Sequence, residues 1–249
     1  VDPKQGRVFG SMLNDKLSEF DLASSALAER YRATDDIEVK KQIYGEYSNL
    51  INTTMADNID NPLGYYLFID SASGMDTDEF DGWLKKYPEL ANYQRVAKIK
   101  EAFAKKAATA VGQMFTDFEV TYDGKTQRLS DFVGKGKYVL VDYWASWCGP
   151  CLRQIPVLKE LLAEFGDKGL EVLGVAVWDE PAATLEAIKS HGITWPCIIN
   201  AQAIPTDLYG INGIPCIILY GPDGKILSRD KQSDDLKADV RAAFARTLK

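Results

Sequence analysis

The chain has 249 residues, 46% hydrophobic and 26% charged, which is the balance of an ordinary globular protein long enough for one large domain or two smaller ones. Its net charge of −7 is evenly spread, with 14 Lys and Arg against 18 Asp and Glu through Gly112 and 15 against 18 beyond it. No basic face is implied, so nucleic acid and anionic membrane surfaces are excluded as expected partners, and no apolar run approaches the ~20 residues needed to span a bilayer.

The chain starts Val1-Asp2-Pro3-Lys4, a polar stretch that reads as a processed or trimmed end with no signal segment of its own. Leu13, Leu17, Phe20, Ser24, Leu27 and Tyr31 then follow a 4-3-4-3-4 spacing, one face of a helix. Ile43, Tyr47, Leu50 and Met55 form a second such face after the break at Thr34-Asp35-Asp36. Asn61-Pro62 is a helix start with proline in the first turn, opening a short apolar helix over 63–69. A short polar helix is predicted over 77–86, and a single long one over 89–110 with Tyr93, Val96, Ile99 and Phe103 on one side. No cluster of titratable residues stands out in this part, which reads as an all-α domain over 1–111.

Gly112 marks a change to a second domain, 112–249. Residues 118–122 alternate as a strand does, and Asp123-Gly124 is a hairpin turn. Strands are predicted over 138–143, 171–177, 197–199, 217–220 and 225–228. Helices are predicted from the cysteine loop to 165, over 182–191, near 207, and from Asp234 to Leu248. This alternation, closing in a hairpin at Pro222-Asp223-Gly224, argues an α/β fold: a mixed sheet with helices on both faces.

Four cysteines in a chain this long suggest a specific site plus incidental thiols. Cys148 and Cys151 close an apolar strand, and a helix opens at Pro150. That puts Cys148 at a helix N-terminus, where exposed backbone N–H groups and the helix dipole favour a thiolate. Cys151 sits one turn further in, within disulfide reach, so the pair has the minimum equipment for thiol–disulfide exchange. The alternatives are a structural disulfide or half of a zinc site. The latter wants a second close pair, whereas Cys197 and Cys216 are 19 positions apart. Asp142, six residues before Cys148, is a carboxylate inside an apolar strand. It is costly there without a partner or a task, and burial should raise its pKa. The alternative is an Asp at the strand's exposed end. The lone His191 argues against Cys–His protease chemistry and a multi-histidine metal centre. No metal and no cofactor is expected.

The segment Asp142-Tyr143-Trp144-Ala145-Ser146-Trp147-Cys148-Gly149-Pro150-Cys151 closely resembles the active-site segment of thioredoxin, and Gly213-Ile214-Pro215 resembles that family's cis-proline loop. The insert over 178–200, with Gly192-Ile193-Thr194-Trp195-Pro196, resembles the exported TlpA/ResA-type subgroup. The helical part resembles, without a motif, the region that precedes this domain in envelope thiol–disulfide oxidoreductases. The catalytic resemblance covers roughly 113–249.

The resemblance implies a thioredoxin-like sheet with a central insert and a thiol–disulfide oxidoreductase of the bacterial cell envelope. Cys148 would be the partly exposed attacking thiolate, Cys151 the buried resolving thiol and Asp142 the proton acceptor for Cys151. Trp147, Gly149, Pro150, Ile214 and a cis Pro215 would form the surface that receives the partner. Asp179 is a candidate modulator, or else half of a solvated N-cap pair with Glu180. Cys216, in place of the usual small residue after the proline, is a candidate third thiol near the pair, or else a small buried apolar residue. In the family's sheet order the strands of Cys197 and Cys216 are separated by two others, too far for them to pair. The expected partners are protein thiols and disulfides and an envelope electron donor. The expected location is periplasmic or outer-envelope, compatible with a lipid anchor before Val1. The Gly149-Pro150 spacer matches thioredoxin, at about −270 mV, and so favours reduction or isomerisation over net oxidation. A peroxiredoxin reading needs Thr or Ser three residues before its cysteine, where this chain has Ala145. A third reading is a docking module without chemistry, against which the intact Cys-x-x-Cys weighs.

Overall fold

The computed structural model describes residues 10–72 and 74–247. The start at residues 1–4 and the expected last helical position, Leu248, lie outside them. The chain divides into two compact units, Val1–Ile99 and Lys100–Lys249.

The first unit holds α1 (Met12–Arg32), α2 (Ile37–Asp57), α3 (Pro62–Ser71), α4 (Thr77–Lys86), a 3-10 turn (Pro88–Asn92) and the start of α5 (Gln94–Ala108). Side-chain caps explain where the first four begin. Ser11 accepts from the Asn14 N–H, Asp36 from Glu38 and Val39, Asn61 from Leu63, and Asp76 from Glu79. Each cap satisfies backbone donors that have no partner inside the helix. Met55, Leu67, Phe68, Phe80, Leu90 and Val96 form the buried centre. The single helix expected over 89–110 is interrupted. Tyr93 adopts extended backbone, φ −86° and ψ 128°, and its ring stacks on Tyr65 with centroids 4.1 Å apart. The aromatic contact outweighs the helical periodicity there. No helix among the described residues is long and apolar enough to cross a membrane.

The second unit carries a hairpin, β1 (Glu119–Tyr122) and β2 (Lys125–Arg128), turned by Asp123 and Gly124 at φ 49° and 71°. Its main sheet comprises β3 (Tyr138–Trp144), β4 (Leu170–Ala176), β5 (Cys197–Ile198), β6 (Cys216–Tyr220) and β7 (Ile226–Arg229). The order is β5-β4-β3-β6-β7, with β3, β4 and β5 parallel and β6 and β7 antiparallel to their neighbours. The helices are α6 (Gly149–Phe165), α7 (Pro181–Ser190), α8 (Ile204–Tyr209) and α9 (Ser233–Thr247). β3 is buried along its whole length, as a central strand covered on both faces must be. Its side chains alternate between two cores. Leu140 and Trp144 pack with Leu158 and Leu161 of α6 and with Leu236 and Val240 of α9. Val139, Val141 and Tyr143 pack with Ile218, Tyr220, Tyr209 of α8 and Val120 of the hairpin.

The division between units falls inside α5, not at Gly112 where the strand signals begin. The last turns of α5 belong with the sheet. The Arg229 guanidinium donates to the Thr109 hydroxyl and carbonyl and to the Tyr209 carbonyl. Gly210, at φ 61°, leaves room for α5, since a Cβ there would lie 2.3 Å from the Ala102 carbonyl oxygen. Only glycine meets both demands.

Candidate active site

Cys148 is the N-cap residue of α6. The Cys151 N–H donates to the Cys148 sulfur at 3.2 Å, and the two cysteines form a disulfide with a Cα–Cα separation of 5.2 Å. One donor that the helix leaves unpaired is thus aimed at the sulfur, and the macrodipole adds to it. The Cys148 sulfur also lies 3.8 Å from the Ile214 carbonyl oxygen, and the Ile214–Pro215 peptide is cis. Partial exposure of Cys148 is expected from the sequence. In this oxidised form the residue is only 4% exposed and Cys151 1%. The first sulfur lies on the helix end and against Ile214. Gly149 and Pro150 are exposed, and Ile214 and Pro215 half-buried. Trp147 is 62% exposed, held by a hydrogen bond from its indole N–H to the Trp178 carbonyl at 2.9 Å.

Asp142 lies on the same sheet face as Leu140 and Trp144, the face that packs with both cysteines. It is 3% exposed, not at an open strand end, and its Oδ1 has no hydrogen-bond partner. Burial pushes this carboxyl up to about 7.

The AhpC/TSA family model matches residues 111–229. The thiol-disulfide oxidoreductase ResA of Geobacillus thermodenitrificans is 35% identical over 145 residues, covering 56% of this chain and 82% of the relative. The chain belongs to the ResA-type thiol-disulfide oxidoreductases. ResA of Geobacillus kaustophilus is 33% identical over 125 residues, covering 50% of this chain and 71% of the relative. The crystal structure of the thioredoxin domain of a Bacteroides vulgatus thiol-disulfide oxidoreductase superposes with a TM-score of 0.48. It is 30% identical and covers 53% of this chain and 96% of that one.

Within this oxidoreductase, Asp179 is neither solvated nor a simple helix cap. It is 5% exposed. Its carboxylate accepts from the Ser146 N–H at 2.7 Å, the Ser146 hydroxyl at 2.8 Å, the Thr184 hydroxyl at 2.8 Å and the Glu180 N–H at 3.0 Å. Two of these bonds hold the backbone and side chain of the residue two before Cys148. Sequence spacing does not point to Ser146, because that contact depends on the end of β4 lying beside the end of β3, whereas Thr184 is a local partner in the first turns of α7, five residues after Asp179. Asp179→Asn keeps one acceptor oxygen and turns an NH2 toward hydroxyl or amide donors. It is expected to cost about 1–3 kcal/mol and to speed hydrogen exchange at the Ser146 amide, measured by urea unfolding and exchange NMR. Unchanged exchange at Ser146 would show that the bond does not hold the loop.

Cys216 does not join the pair. It packs on the opposite sheet face with Val141 and Tyr143, and its thiol donates to Asp230 Oδ1 at 3.1 Å. Burial, then the Asp230 charge, holds this thiol well above its ordinary range. Its register partner is Tyr143, whose side chain points away from the cysteines. Three residues before Cys148, Ala145 is buried and brings no hydroxyl. Among the described residues no group of three or more His, Cys, Asp or Glu side chains could hold a metal ion.

Proposed function

We propose that this oxidoreductase reduces or isomerises disulfides of partner proteins in the bacterial cell envelope, using Cys148 and Cys151. The observation that carries the reading is the Cys151 N–H placed on the Cys148 sulfur at the N-cap of α6. Reduced Cys148 attacks a partner disulfide as the thiolate. One S–S bond forms between enzyme and partner, and the partner's other sulfur leaves as a thiolate and takes a proton from water. Cys151 then gives its proton to Asp142 and attacks the Cys148 sulfur. The mixed disulfide breaks, the partner leaves with both sulfurs reduced, and the enzyme is left oxidised. An envelope electron donor restores the dithiol.

Asp142 suits the acceptor role because a carboxyl near 7 both takes and releases a proton at neutral pH. The surface formed by Trp147, Gly149, Pro150, Ile214 and Pro215 would receive the partner as an extended strand along the Ile214 backbone. Asp179 would act by holding the loop that carries Cys148. We assign the chemistry to the second unit, Lys100–Lys249, and a scaffolding role to the helical first unit, Val1–Ile99. The Gly149-Pro150 spacer supports a reducing pair. Its potential, measured against glutathione by thiol trapping, is expected nearer the −270 mV of thioredoxin than the −120 mV of strong oxidants. A value close to the latter would reverse the direction.

A further inference from the structure

Three residues form one row across the sheet. Asp142 of β3 is in register with Gly174 of β4, and Gly174 with Cys197 of β5. In-register neighbours project to the same face, and Cys197 packs against the core cluster that holds Trp144, Cys148 and Cys151. The middle of the row has no side chain. A Cβ on Gly174 would lie 2.7 Å from the Cys197 sulfur and 3.1 Å from the Trp144 indole nitrogen. The Cys197 thiol donates to the Trp195 carbonyl at 3.7 Å, and its sulfur leans from β5 over Gly174, on the side of the strand that carries Asp142, sharing that slot with an indole N–H. A lone glycine inside an apolar strand is the sequence signal of such a close approach.

The row also has a direction. Asp142 and Gly174 are buried, while Cys197 is partly exposed on β5, the edge strand of the sheet. Asp142 carries an unpartnered buried oxygen, a group that strongly favours any polar hydrogen brought near it. The ionisable groups on its face are Tyr138 of the same strand and Cys197 of β5, while Cys148 and Cys151, at the end of α6, are joined in the disulfide and do not titrate. Its β6 neighbour on this face is Ile217, and Cys216 projects to the other side. Burial first and the Asp142 charge second push the Cys197 thiol up to about 12, so it stays a neutral S–H.

We propose that Cys197 is a positioning residue for Asp142: its thiol, seated over Gly174, is the polar neighbour that controls proton exchange of the buried carboxyl. The consequence for turnover rests on Asp142 being the acceptor for Cys151. A proton received there would leave toward water at the β5 edge, away from the cis-proline face that a bound partner covers.

The test is the titration midpoint of Asp142 in the oxidised protein without substrate, read from its carboxyl carbonyl infrared band. Cys197→Ser keeps the size and supplies a stronger hydrogen-bonding group, and is expected to lower the midpoint by about half to one pH unit. Gly174→Ala puts a methyl group 2.7 Å from the sulfur, so that the thiol must move away, and is expected to raise it by a similar amount. Shifts of opposite sign are not what general loosening of the sheet would produce. A midpoint that moves this way while the pH profile of turnover stays fixed supports the contact and rejects Asp142 as the acceptor. An unmoved midpoint in a folded Cys197→Ser protein overturns the proposal, and the acceptor reading is then judged separately on Asp142→Asn.

Discussion

Asp142→Asn is expected to make the protein more stable at pH 8 and slower at its task. Burial raises the Asp142 carboxyl from an ordinary 3.8 to about 7. Between roughly pH 4 and pH 7 the folded chain thus keeps a proton that the unfolded chain has released. Stability falls as pH rises wherever the native state holds the extra proton. The loss grows through that window and levels off above pH 7 at roughly 4 kcal/mol, from 1.36 kcal/mol per pKa unit. Asparagine has no charge to desolvate. The variant should match the parent near pH 4 and exceed it by up to about that amount at pH 8, measured by urea unfolding of oxidised protein across the range. If Asp142 takes the proton of Cys151, the same change should slow release of the mixed disulfide by about 10²–10⁴-fold near neutrality. A stability difference independent of pH would place the carboxyl in water and remove the basis for that role.

Cys148→Ser is expected to bring disulfide reduction down to the rate without enzyme, because serine at this position cannot form the mixed disulfide. Cys151→Ser should instead stop halfway, leaving partners bound to Cys148 through a bond that only an external thiol breaks. Non-reducing gels of extracts incubated with each variant separate the two outcomes. Both variants lose the cross-link that closes a four-residue loop, worth about 2 kcal/mol against the unfolded chain. Each should unfold earlier than oxidised parent and close to reduced parent. A Cys148→Ser protein that retained full activity would favour the docking-module reading, in which the sulfur does no chemistry.

Several elements are set by local chemistry, and these are readable from the residues. The caps Ser11, Asp36, Asn61 and Asp76 start their helices because each supplies an oxygen to unpaired N–H groups. Asp123-Gly124 turns β1 into β2 because both adopt positive φ. The cysteine loop is legible for the same reason, since strand, cysteine pair and helix start are consecutive in the chain.

What the sequence alone determined is therefore the family and the local build of segment 142–151, where strand, cysteine pair and helix start are neighbours along the chain. Tertiary structure alone decided which more distant residues meet it. Cys216 follows Pro215 directly yet points away, because strand parity and pairing with Tyr143 put it on the other face. Asp179 reaches Ser146, and Cys197 leans over Gly174 beside Asp142, because β4 and β5 lie next to β3 in that order. Periodicity is a property of a few successive residues. Sheet order and register are properties of the whole packed unit, and burial on the finished sheet is what raises the Asp142 carboxyl to about 7.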